Sequence, residues 1–146
     1  VFAVLSEHSI LGRTQQRGGS FNSAAFDRGV QVALSADGEI GVLSTLFSAR
    51  SLGLTGELSA TAQPDYLSGL MIGHELSALA SVQRRRRNSV HLPSIILIGN
   101  TQLCTRYSRA LDACGFARVT LAEQATERGL WQLAQAAGLI TPDPSR

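Results

Sequence analysis

The residues whose types and order point to chemistry meet at one turn. Ser94 to Ile98 is a short, isoleucine-rich apolar run that fits a strand buried on both faces, and it halts at Gly99 and Asn100, where a helix begins. A glycine directly after such a strand lets a ligand approach the backbone. The free N–H groups of the following helix start offer donors to a phosphate, a ribose or a base edge. A nucleotide is a natural occupant of that turn, although strand, glycine and capped helix also follow one another in many proteins without ligands. The second feature is a stripe: Gly69, Gly73 and Ser77 recur every four residues within Pro64 to Val82, so one side of that helix carries almost no side chain. Glycine in a helix interior costs about 1 kcal/mol relative to alanine, so the stripe implies close approach by another backbone or by a flat ligand.

The remaining candidates have simpler readings beside the functional ones. All thirteen basic residues are arginine, which closes every mechanism that needs a lysine, including the phosphate-loop lysine and a Schiff base. His8, His74 and His91 are far apart and no cysteine or histidine pair has metal-ligand spacing, so no structural zinc is expected. Cys104 and Cys114 fall in one helical pattern roughly 15 Å apart, too far for a disulfide. Arg84 to Arg87 read as a solvated loop; a nucleic-acid patch would need interleaved aromatics and more than a net charge of +2. Glu7 and His8 are candidates for substrate contact, the simpler reading being a satisfied, partly buried histidine. Ser48 and Arg50 either face a cleft or cap carbonyls at a helix end. Trp131 belongs to a core or an interface.

These groups need elements to hold them. The periodicity predicts helices over Val1 to Leu11, closed by Gly12, and over Ala24 to Ala36. It then predicts a helical run over Ile40 to Leu52 with Leu43, Leu46 and Phe47 together, and the long helix Pro64 to Val82 with proline in its first turn. Downstream the order is strand Ser94 to Ile98, helix Asn100 to Gly115, strand Phe116 to Leu121 and helix Glu123 to Ala137, ended by Gly138. Alternating strands and helices predict an α/β fold with a short buried sheet, whose ligands lie beyond the strands' carboxyl ends. The chain has 146 residues, 44% of them in the apolar set, enough for one globular domain with a core and too few for two of ordinary size. No run reaches the roughly 20 apolar residues of a membrane span, and the start lacks a signal-peptide layout, so a cytoplasmic location is expected. The chain opens at Val1 on an apolar run, as a piece of something longer would.

Four ordered blocks carry a resemblance: FAVLSEHSILG (residues 2–12), LFSARSLGL (46–54), DYLSGLMIGHEL (65–76) and ILIGNTQLCTRYSRALDACG (96–115). In combination they resemble the carboxyl-terminal half of 2-keto-3-deoxygalactonate kinases, a family similar to the actin-like, ribonuclease-H-like sugar kinases. The resemblance implies residues 1–146 as the second, nucleotide-side lobe of a two-lobe kinase, the amino-terminal lobe being absent together with the first phosphate motif and the catalytic base. It implies ATP and Mg2+ as cofactors, a sugar acid as the acceptor, no nucleic-acid or membrane partner, and room for a homodimer. Gly99 and Asn100 would form the adenosine turn, with Gly69 and Gly73 bearing the flat side of the base or its ribose. The superfamily's turn is commonly richer in glycine than Gly99-Asn100. A noncatalytic nucleotide-binding or regulatory module and an arginine-dependent interaction module are the competing classes. Faces meant for a missing lobe are expected to expose apolar surface and to make the chain self-associate.

Overall fold

The structure, a computed structural model, describes residues 1–86 and 94–140. Helix α1 (Phe2–His8) stops at Ser9, whose backbone is extended and whose hydroxyl accepts from the Leu11 N–H to open a 3-10 turn over Ile10–Thr14. The expected helix to Leu11 is thus two elements. Gly12 is no terminal cap: it lies inside the turn, pressed on the Ser6 carbonyl where no Cβ fits. Asn22 then caps α2 (Ser23–Leu34), its side chain accepting from the Ala25 N–H at 3.0 Å. Three short helices follow, α3 (Ala36–Glu39), α4 (Val42–Leu46) and α5 (Ser48–Leu54). The last two replace the single run predicted over 40–52. Leu46 is buried but Leu43 and Phe47 are exposed, so the expected trio does not form.

Helix α6 (Gln63–Arg86) is the spine. It extends past the predicted end and takes Arg84 to Arg86 into its last turns, which corrects the loop reading for those three; residues 87–93, with His91, and the tail prolines Pro142 and Pro144 lie outside the described residues. One half of α6 packs Tyr66, Leu67 and Leu70 with Leu11, Ala33, Leu46 and Ala49. Its other half packs Ile72, Leu76 and Ala80 with Phe26, Val30, Ala110, Leu111 and Phe116. Full burial of each large apolar side chain contributes about 1.5–3 kcal/mol, so α6 ties two cores together.

Helices α2 and α6 meet without side chains between them. A Cβ on Gly69 would collide with the Phe26 carbonyl, one on Gly29 with the Tyr66 carbonyl, and one on Gly73 would lie 2.7 Å from the Ala33 Cβ and 3.1 Å from the Val30 Cα. The small-residue stripe is therefore a helix-packing surface. Its reading as a nucleotide seat is corrected: Gly69 and Gly73 are buried under α2 and present nothing to a ligand.

Beyond α6 come β1 (Ile95–Leu97), α7 (Thr101–Ala113), β2 (Val119–Leu121) and α8 (Ala125–Ala136). The strands pair in parallel, Ile96 opposite Thr120, with α7 as the crossover. The chain is thus a helix-rich α/β protein with a small parallel sheet. The strand is not buried on both faces as predicted, since Ile95 and Leu97 lean on the second core while Ile96 is 64% and Ile98 63% exposed. Leu130, Trp131 and Leu133 of α8 are likewise exposed, so Trp131 is not a core residue of this chain. Among the described residues no helix is long and apolar enough to cross a membrane.

His74, on α6, has its Nε2 2.7 Å from the buried Thr45 hydroxyl, and burial holds its pKa below the ordinary 6.5. Folding therefore favours the neutral ring. The stability this contributes is fully present above pH 6.5 and is lost as pH falls below it through the folded pKa. We expect thermal melts to show a midpoint falling between pH 8 and pH 5, and His74→Asn to flatten that part of the slope; an unchanged slope would refute the assignment.

Candidate functional site

A groove of about 770 Å³ runs between α1, the loop 15–19, one face of α6 and the first turns of α7. This is an ordinary size for a small-molecule site. The α6 face that lines it carries Asp65, Ser68, Ile72 and Glu75, roughly a third of a turn from the glycine stripe at 3.6 residues per turn. Helix α7 and its N-cap contribute Asn100, Leu103, Arg106 and Tyr107, while α1 and the loop contribute Ser6, Glu7, Gln15 and Arg17.

Asp65 anchors the floor. It is 6% exposed and accepts from the Asn22 N–H at 2.7 Å and from Arg106 Nη2 at 2.6 Å. The guanidinium carbon of Arg106 also lies 4.6 Å from the Phe21 ring centroid and 5.9 Å from that of Phe26. One arginine thus joins α7 to α6 and, through two aromatic faces, to the entry of α2. Tyr107 donates to Glu75 at 2.7 Å, and burial together with that bond pushes the phenol up to about 12, so it stays protonated. Arg17 reaches back to Glu7 at 3.0 Å, closing one rim. A second pair lies outside the groove: Arg109 holds Asp27 through two bonds, at 2.5 and 2.6 Å, and the hydrogen bond from Arg109 keeps that carboxyl below its usual range.

The turn predicted as the chemical centre has a definite geometry. The side-chain Oδ1 of Asn100 accepts from the Leu103 N–H at 2.8 Å, and its side-chain NH2 has no partner among the described residues. Asn100 borders the groove. Gly99 is exposed, and a Cβ there would lie 3.5 Å from the Cys104 sulfur, an ordinary contact, so the protein's own packing does not demand glycine.

Three comparisons with known proteins bear on the chain's family. The sequence model of the family described as DGOK, 2-keto-3-deoxy-galactonokinase, matches residues 1–133. The chain belongs to the 2-keto-3-deoxy-galactonokinase family. It is 27% identical over 137 residues to the 2-dehydro-3-deoxygalactonokinase of Escherichia coli strain K12, covering 91% of this chain and 42% of that protein. It also superposes, with a TM-score of 0.75 and 26% identity, on the crystal structure of a Sinorhizobium meliloti protein assigned as a 2-dehydro-3-deoxygalactonokinase; the match covers 95% of this chain and 44% of that one. The chain therefore spans less than half the length of these relatives.

The sequence reading placed a ligand on the Gly69–Gly73 face of α6; that face packs against α2, and a different face of the same helix lines the groove. Asn100 and Glu7 border the groove as members of a set, whereas His8 is exposed on α1. Ser48 and Arg50 prove structural: Ser48 Oγ lies 2.8 Å from the Tyr66 hydroxyl, and Arg50 donates to the Ile10 carbonyl at 3.0 Å. Sequence reasoning passed over Asp65, Arg106, Ser6 and Gln15. A signal for Asp65 was present, an acidic residue directly after the proline of a helix's first turn. The 41-residue separation between Asp65 and Arg106 hid their pairing.

Proposed function

We propose that this chain is the nucleotide-side lobe of a ribonuclease-H-like kinase that transfers the γ-phosphate of ATP to the 6-hydroxyl of 2-keto-3-deoxygalactonate, acting in the cytoplasm. Family membership over residues 1–133 carries the reading. It is supported by the parallel β1–α7–β2 unit, whose Gly99-Asn100 turn stands at the carboxyl end of β1, where ligands of open α/β sheets bind. In this reading Gly99 and Asn100 take the nucleotide, Asn100 through its free amide.

Phosphoryl transfer needs an in-line geometry, charge stabilisation at the γ-phosphate, and a carboxylate to accept the hydroxyl proton. Asp65 is a poor proton acceptor because both of its oxygens already accept, from Asn22 and Arg106. In this reading, as the family resemblance implies, the base belongs to the other lobe of the kinase. Among the described residues no three His, Cys, Asp or Glu side chains come together as a metal cage, and no step is assigned to the ion here.

The test is ADP release from ATP, Mg2+ and 2-keto-3-deoxygalactonate. The 146-residue chain alone is expected to give no turnover above the uncatalysed background, and a protein carrying this chain at the full length of its relatives is expected to turn over. Sugar phosphate formed by the chain alone at the full-length rate would overturn the lobe assignment; an inert full-length protein would overturn the kinase.

A further inference from the structure

We infer that the groove between α1, the 15–19 loop, α6 and α7 receives the purine nucleoside end of ATP, with the side-chain amide of Gln15 as the group that reads the base. The identity of the nucleotide rests on the kinase reading above; its placement and orientation rest on three observations of the groove itself.

The first is charge. Three carboxylates and two guanidiniums line the groove, and both cations are already matched, Arg17 by Glu7 at 3.0 Å and Arg106 by Asp65 at 2.6 Å. Among the described side chains that line the groove, a triphosphate or the carboxylate of a sugar acid would meet no unmatched guanidinium and one carboxylate in excess. An uncharged ligand meets no such penalty. The second is the wall. Met71, Ile72 and Leu103 give it apolar surface of the kind that takes the face of a flat ring.

The third is unmet hydrogen bonding. Ser6 Oγ and both amide atoms of Gln15 are shielded from solvent and have no hydrogen-bond partner among the described residues, and both residues line the groove. Leaving such groups unsatisfied costs about 1–3 kcal/mol each, so a ligand edge that engages them after a small side-chain rotation gains what the unliganded chain forfeits. A glutamine amide presents one acceptor beside one donor. This is the complement of the adjacent donor and acceptor on the edge of adenine.

Calorimetric titration of the 146-residue chain with adenosine, tripolyphosphate and D-galactonate tests the assignment. Adenosine is expected to bind saturably, the two anions are not, and Gln15→Met should weaken adenosine about tenfold, as the loss of one or two neutral hydrogen bonds does. Backbone amide signals of Met71 and Leu103 should move on adding adenosine to the unsubstituted chain, a readout that does not depend on the variant folding. Unmoved signals, equal affinity in a folded Gln15→Met chain, or displacement of adenosine by galactonate would each overturn the inference. A full-length relative that phosphorylates the sugar acid while adenosine leaves those signals unmoved removes this groove and spares the kinase. Adenosine seated there in a full-length protein inert towards ATP does the reverse.

Discussion

Replacing Asp65 by alanine is expected to destabilise the chain by about 3 kcal/mol, the range found when one partner of a largely buried ion pair is removed. The loss has two parts. Arg106, whose side chain is 26% exposed, would keep its charge among Phe21 and Phe26 without a counter-ion, and the Asn22 N–H at the entry to α2 would lose its acceptor. Asp65→Asn retains the volume and an acceptor for Asn22, so it should lose less. Arg106→Met placed in the Asp65→Ala background should recover part of the loss by removing the stranded charge. Urea unfolding of the three variants checks this; additive losses in the double variant would show that the pair does not act as a unit.

Gly69→Val is expected to cost at least about 3 kcal/mol, at or above the upper end for overpacking, because the added atoms meet a backbone carbonyl that no rotamer can move aside. Helix propensity works weakly the other way, since valine is a few tenths of a kcal/mol better than glycine inside a helix. Gly129 in α8 provides the control. A Cβ there meets nothing within 4 Å, so Gly129→Ala should be neutral or stabilising by up to about 1 kcal/mol. Melting midpoints that fell equally for both would refute the α2–α6 contact as the reason for the stripe.

Local order was readable because it is written in neighbouring residues. Asn100 and Gly115 bracket α7 as cap and stop, with Gly115 at φ 82°, and Pro64 marks the first turn of α6. What failed depends on residues far apart in the chain. The stripe of Gly69 and Gly73 correctly announced a close approach, but spacing within one helix cannot say whether α2 or a ligand makes it. The isoleucines of β1 read as buried on both faces because a hydrophobic run records what a strand requires, and these residues alone leave Ile96 and Ile98 uncovered. The groove was the least legible part. Its floor is an ion pair between α6 and α7, its rim a pair between α1 and the loop, and neither has a sequence pattern of its own.

The interlocking glycines of α2 and α6 also bear on how the chain comes apart. These two helices hold each other by backbone proximity and share both cores, whereas the sheet has three paired residues per strand and α8 has no buried residue. Amide protons at Val30 and Leu70 should be among the last to exchange with solvent deuterium, and those of β2 and α8 among the first, so these two elements would open and close many times in the life of an intact helical pair.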